Sequence, residues 1–132
     1  LKIVLTSARR KTARARALVK DGRGRVLING VPLEILEPEL VRMKIEEPIM
    51  LAGDIARQVD ITVESHGGGV VSQASAIRTA IARGLVEWSG SNELKALYME
   101  YDRHLLVEDP RQTEPKKPRG RSARAKRQKS YR

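Results

Sequence analysis

Residues 59–69 read Val-Asp-Ile-Thr-Val-Glu-Ser-His-Gly-Gly-Gly, and residues 70–90 read Val-Val-Ser-Gln-Ala-Ser-Ala-Ile-Arg-Thr-Ala-Ile-Ala-Arg-Gly-Leu-Val-Glu-Trp-Ser-Gly. The first piece alternates, with Val59, Ile61 and Val63 apolar and Asp60, Thr62 and Glu64 polar. A period of two places the two sets on opposite faces of a half-buried strand. After Gly67-Gly68-Gly69 the period changes. Val70, Ala74, Ile77, Ile81, Leu85 and Trp88 recur every three or four positions, one apolar stripe that a long helix turns toward a sheet, and Gly90 ends it. A strand that feeds directly into a helix covering its sheet predicts an α+β domain of two layers, with the helices on one sheet face.

Working outward, the same logic places the other elements. Lys2 to Ser7 is a short β-rich run. From Thr12 to Lys20 the chain alternates again: Ala13, Ala15, Ala17 and Val19 turn to a core, while Arg14, Arg16, Leu18 and Lys20 turn outward as a basic face. Asp21-Gly22-Arg23-Gly24 reads as a turn, Arg25 to Ile28 pairs back on the strand before it, and Asn29-Gly30 is a second turn. Pro38 suits the first turn of a helix running to about Glu47, where Pro48 breaks or kinks it, with Gly53 stopping the remainder. Beyond Gly90 a second amphipathic helix turns Leu94, Leu97, Tyr98, Tyr101 and Leu105 inward. No internal repeat is visible.

Composition limits the chemistry. The chain has 132 residues, 40% hydrophobic but only 3% aromatic and without Phe, so its core is aliphatic. Without Cys there is no disulfide, thiolate zinc site or cysteine nucleophile, and two His leave little room for a histidine metal cage. No stretch approaches the roughly 18 apolar residues of a membrane helix, and none resembles a signal peptide. The expectation is a soluble, cytoplasmic protein.

Lys+Arg number 26 against 16 Asp+Glu, a net charge of +10 that is unevenly spread. Residues 1–25 carry +8, residues 26–110 carry −7 and residues 111–132 carry +9. Basic ends around an acidic centre mean that the ends make polyanion contacts and the middle is scaffold. From Pro110 to Arg132 there is no Ile, Leu, Val, Met or Trp, and Pro110, Pro115 and Pro118 interrupt any helix. Such a segment buries too little apolar surface to offset its ordering entropy, so it is expected to be disordered until a partner surrounds it. The division is therefore a domain over residues 1–109 and an arm over residues 110–132, with a reach of roughly 70 Å at about 3.3 Å per residue.

Arginines in the arm and on the basic strand suit bidentate phosphate contacts. Gly67-Gly68-Gly69 before a helix could let backbone amides approach a phosphate, with Gln73, Arg78 and Arg83 on the helix it opens. The same triplet is also what a permissive turn needs. A kinase-like enzyme would add a base and metal carboxylates, and no convincing set is present. His66 reads as a loop contact, His104 as meeting backbone carbonyls or solvent, and Glu46-Glu47 as an exposed helix end. Trp88 and Tyr98 fit core positions. Tyr131 has no core to join and must meet something outside the chain.

Gly67-Gly68-Gly69, two spacers, Ser72-Gln73, then Ala76, Ala80 and Ala82-Arg83-Gly84-Leu85 resembles the signature of the small-subunit ribosomal protein S-nine family. The opening Ser7-Ala8-Arg9-Arg10-Lys11-Thr12-Ala13-Arg14-Ala15 is similar to that family's start. Asp109-Pro110-Arg111, Glu114, Lys116-Lys117 and the closing Gln128-Lys129-Ser130-Tyr131-Arg132 resemble its tail, in the archaeal and eukaryotic style. Gly84, where many members carry Ala, is expected only to soften the helix. The resemblance implies the two-layer α/β fold of the second domain of ribosomal protein S-five, seated on the head of the small-subunit RNA, with an arm that reaches the anticodon stem-loop of P-site tRNA. It implies that Arg9, Arg10, Lys11, Arg14 and Arg16 hold the domain on the head, beside Gly67, Gly68, Gly69, Gln73, Arg78 and Arg83. Arg111, Lys116, Lys117, Arg119, Arg121, Arg124, Lys126 and Arg127 would line the route through ribosomal RNA (rRNA), and Lys129, Ser130, Tyr131 and Arg132 would face tRNA. Neighbouring head proteins would meet the acidic middle around Glu34, Glu37, Glu39, Glu46 and Glu47. No catalytic activity, cofactor, metal, membrane or small-molecule substrate is expected. Two alternatives stay open: a phosphate-binding enzyme using the glycine loop, and an RNA binder like the protein subunit of ribonuclease P.

Overall fold

The structure, a computed structural model, describes residues 2–108. It begins with a hairpin of β1 (Ile3–Arg10) and β2 (Ala13–Asp21), paired from Ile3 opposite Lys20 to Arg10 opposite Ala13. The first strand is therefore longer than the β-rich run of the sequence. It turns at Lys11-Thr12, with Lys11 in the left-handed region at φ 55°. Short β3 (Val26–Ile28) and β4 (Val31–Pro32) follow, joined by Asn29-Gly30, both at positive φ. That is the geometry Asn-Gly supplies in a two-residue hairpin. Then come α1 (Glu39–Ala52), α2 (Asp54–Arg57), β5 (Val59–His66), α3 (Val70–Ser89) and α4 (Asn92–Tyr101).

The sheet order is β1-β2-β5-β3-β4. Residues 25–28 do not pair back on the preceding strand: β3 runs parallel to β5, which lies between it and β2. The crossing is held by Asp60, whose carboxylate accepts the backbone N–H groups of Arg23 (3.0 Å) and Arg25 (3.1 Å). These hydrogen bonds hold its carboxyl below the usual range. Gly22 and Gly24 add N–H bonds to the carbonyls of Gln58 and Val59. Local alternation cannot reveal this, because the partner strand lies more than thirty residues ahead.

α3 lies across β1, β2 and β5, and α1 packs along α3. The buried set is aliphatic as expected: Ala13, Ala15, Ala17 and Val19 on β2, Val59, Ile61 and Val63 on β5, and Ala74, Ile77, Ile81 and Leu85 on α3. α1 runs through Pro48 to Ala52 instead of breaking, and ends at Gly53. Pro48 is itself buried, and its carbonyl accepts the Tyr98 hydroxyl at 2.6 Å. Glu46 and Glu47 consequently lie inside the helix, paired with Arg42 and Arg78, and are not an exposed end. In α4, capped by Ser91 Oγ, which accepts the Leu94 N–H, only Leu94 and Tyr98 are buried. Leu97 and Tyr101 face out, as does Val70 at the start of α3. An apolar stripe drawn from spacing alone is too wide, because a helix end extends beyond the layer it covers.

Gly84 does more than soften α3. A Cβ there would lie 2.7 Å from Val19 Cγ2 and 3.3 Å from Thr6 Oγ1, and the Thr6 hydroxyl donates to the Ala80 carbonyl at 2.8 Å. The missing side chain lets the helix settle on β1 and β2. Gly84→Ala gains about 1 kcal/mol of helix propensity but overpacks a stiff buried valine at about 1–3 kcal/mol. A net loss of about 1 kcal/mol in urea unfolding is expected, and Val19→Ala in the same chain should relieve the crowding.

Candidate nucleic-acid interface

Strand parity decides which side chains share the open face of the sheet, the one opposite α3. In the hairpin Arg9 stands opposite Arg14 and Ser7 opposite Arg16; on the next strand His66 stands opposite Arg14 and Glu64 opposite Arg16. Arg9, Arg14, Arg16 and His66 are all exposed. They form the basic end of the face, over a groove of about 460 Å³ that Glu108 also lines. The other end of the same face mixes exposed Ile3 and Leu5 and half-buried Leu18 with the charges of Lys20 and Asp60. Arg10 and Lys11 belong to a different surface. With Arg9 they line a second cleft, of about 350 Å³, between the hairpin tip, α1 and α3. Lys44, Val71, Ser72, Ser75, Arg78, Thr79, Asp102 and His104 complete it.

The glycine turn divides by position. Gly67 (φ 78°) and Gly68 (φ 63°) lie against the hairpin tip, where a Cβ would come within 2.6 Å of the Thr12 carbonyl oxygen and 3.0 Å of the Ala13 backbone nitrogen respectively. Their lack of side chains is a packing requirement. Gly69, at φ −93°, would place a Cβ in open space, so a side chain is sterically allowed there.

The three polar residues assigned to α3 all have partners inside the protein. Gln73 Nε2 donates to the Gly67 carbonyl (2.9 Å), and its Oε1 accepts from Ser65 Oγ (3.2 Å), which itself accepts from Asn29 Nδ2. Gln73 thus fastens the turn. Arg83 donates from Nε to the Leu106 carbonyl (2.8 Å), and from one terminal nitrogen to the Ser7 carbonyl (2.9 Å) and to Glu108 (3.1 Å). It ties α3 to β1 and to the last described residues. Arg78 is 7% exposed and reaches Asp102 (3.1 Å) and Glu47 (3.4 Å) through Nη2. Burial works to raise the Asp102 carboxyl, but the His104 amide and Arg78 outweigh it and leave it below the ordinary value. Tyr101 donates to Glu47 at 2.8 Å, which raises its phenol pKa. As expected, His104 meets a carbonyl, that of Val107, at 3.3 Å. Tyr98 is fully buried, but Trp88 is only half-buried, with Nε1 donating to Asp21 at 3.0 Å.

Sequence reasoning missed Lys44. It sits in a mixed-charge helix among Glu39, Arg42, Glu46 and Glu47, so nothing local marks it as part of the cleft with Arg9 and Arg10. Burial, then the charge of Arg78, pushes its ammonium below the usual lysine value; Glu47 pulls the other way, with smaller effects from Arg10 and Asp102. Arg111, Lys116, Lys117, Arg119, Arg121, Arg124, Lys126, Arg127, Lys129, Ser130, Tyr131 and Arg132 lie outside the described residues. Among the described residues no group of His, Asp or Glu could hold a metal, and no helix is long and apolar enough to cross a membrane.

Comparison with known proteins adds an independent line. The chain is 60% identical over 132 residues to small ribosomal subunit protein uS9 of Desulfurococcus amylolyticus, covering 100% of this chain and 94% of that protein. It is 56% identical to the protein of the same name from Methanothrix thermoacetophila, with 100% of both covered. With that of Pyrobaculum aerophilum it is 53% identical over 131 residues, 99% of this chain and 92% of that protein. The family described as ribosomal protein S9/S16 matches residues 8–132, from the basic hairpin through the whole C-terminal segment. The chain therefore belongs to the ribosomal protein S9/S16 family.

Proposed function

We propose that the protein docks on rRNA in the head of the small subunit through the basic end of its open sheet face and the hairpin tip, and reaches P-site tRNA with its C-terminal segment. Family membership makes it a structural constituent of the small ribosomal subunit, at work in the cytoplasm, and not an enzyme. The observation that carries the docking surface is the convergence of Arg9, Arg14 and Arg16 on one exposed face by strand parity. Guanidinium groups held on a rigid sheet contact phosphates without reading sequence, which suits scaffolding of a folded RNA. Arg78, Arg83 and Gln73 serve this surface indirectly, by fixing the elements that carry it. The helices on one face and the bare sheet on the other support the S-five second-domain type of fold. Residues 1–109 form the docking domain and residues 110–132 the arm, with Arg111, Lys116, Lys117, Arg119, Arg121, Arg124, Lys126 and Arg127 along rRNA. Lys129, Ser130, Tyr131 and Arg132 meet the anticodon stem-loop, and neighbouring head proteins meet the acidic middle.

Two experiments test this. Arg14→Gln with Arg16→Gln should weaken binding of a head-domain rRNA fragment roughly tenfold at fixed salt and lower the log–log salt slope by about 2. An unchanged slope sinks the docking surface. Removing residues 129–132 should leave subunit assembly intact and weaken P-site tRNA binding; failed assembly with unchanged tRNA affinity would give the tip a structural role instead.

A further inference from the structure

The cleft between the hairpin tip, α1 and α3 has the marks of a built anion site. Arg78 lies in its wall at 7% exposure, and its Nε has no hydrogen-bond partner although it is buried. Arginine cannot shed its proton to relieve that burial, and a buried donor left unmade costs about 1–3 kcal/mol. Nη2 is taken by Asp102 and Glu47, so Nε is a second donor of the same side chain, buried and without a partner.

Further cationic side chains line the cleft. Arg9, Arg10 and Lys11 come from the hairpin and Lys44 from α1. Lys44 sits close enough to Arg10 and Arg78 for their charges to oppose its own. Ser72 and Ser75 add hydroxyls from the first turns of α3. The first turn of α3 holds no acidic residue, so the positive end of its dipole is uncompensated there.

We propose that this cleft seats one phosphate group of the bound RNA, held by Lys44 and accepting a hydrogen bond from Arg78 Nε. The inference rests on the RNA-binding reading and sharpens it: the bare sheet face supplies diffuse attraction, whereas the cleft fixes one phosphate and thereby the register of the domain. A phosphodiester of the RNA strand and free inorganic phosphate share this chemistry, so both are needed as probes.

The test uses the full chain, isotopically labelled, titrated with inorganic phosphate at low salt. Saturable amide shifts centred on Ser72, Ser75, Thr79 and His104 are expected. Lys44→Met, at a half-buried position that should fold normally, should weaken phosphate at least tenfold, while Lys95→Gln on exposed α4 should not. The head-domain rRNA fragment should displace the phosphate. Shifts that neither saturate nor respond to Lys44→Met overturn the cleft, and if the rRNA fragment still binds in that sample the docking reading stands without it. Saturable phosphate that the bound fragment fails to displace overturns the RNA source. A fragment that does not bind at all removes the docking reading and the RNA phosphate together.

Discussion

Tyr98→Ala should lower the free energy of unfolding by about 3–5 kcal/mol, read as a fall in the urea midpoint. The ring is fully buried between α4 and α1 in a core that has no Phe to share the load. Tyr98→Phe separates volume from polarity. It keeps the ring but leaves the Pro48 carbonyl without the hydroxyl, and should cost about 1 kcal/mol. The pair also predicts a pH effect. Burial holds the Tyr98 phenol protonated well above the ordinary tyrosine value, so the folded chain keeps a proton that the unfolded chain gives up near pH 10. That contribution is fully present below pH 10 and is lost as pH rises toward the folded pKa, at about 1.4 kcal/mol per pH unit. Unfolding of Tyr98→Phe should lack this component, which a comparison of urea midpoints between pH 9 and 11 would reveal. Parallel pH slopes in the two proteins would contradict it.

Gly67→Ala should destabilise by about 3 kcal/mol. The backbone at φ 78° costs a side chain about 1–2 kcal/mol. The Cβ would also press on the Thr12 carbonyl oxygen at 2.6 Å, a backbone atom that can yield only by moving the hairpin tip. Overpacking of this kind adds about 1–3 kcal/mol. Gly69→Ala is the contrast. Its φ is ordinary and its Cβ would point into open space, so its stability change should stay within about 1 kcal/mol. Equal losses at the two positions, measured by urea unfolding, would contradict the division of the triplet into a packed pair and an open third.

Much of this architecture was legible because the side-chain periods are clean. β2 and β5 each turn one apolar set inward, α3 does so through Ala74, Ile77, Ile81 and Leu85, and Asn29-Gly30 names its own turn type. The basic face of β2 followed from the same parity. Three things were hidden, each for a physical reason. The Lys11-Thr12 turn carries no Gly, Asn or Pro, because its left-handed residue is tolerated within a tight hairpin instead of being favoured by chemistry. The place of β3 depends on Asp60 capturing the turn before it, a contact that no local pattern encodes. The internal partners of Arg78 and Arg83 were hidden because charge on a helix is read as surface until its partners are known. Glu47, Asp102 and Glu108 come from segments distant in sequence.

The alanine faces of β1, β2 and α3, joined at Gly84, have a mechanical consequence. Ala8, Ala13, Ala15, Ala17, Ala76 and Ala80 have no rotamers to lose, so this seam freezes with almost no side-chain entropy. For the same reason it has no soft degrees of freedom with which to absorb a displacement. A push on the arginines of β2 therefore passes into α3 as a rigid-body movement, and the bare sheet face behaves as a stiff mounting plate instead of a cushion.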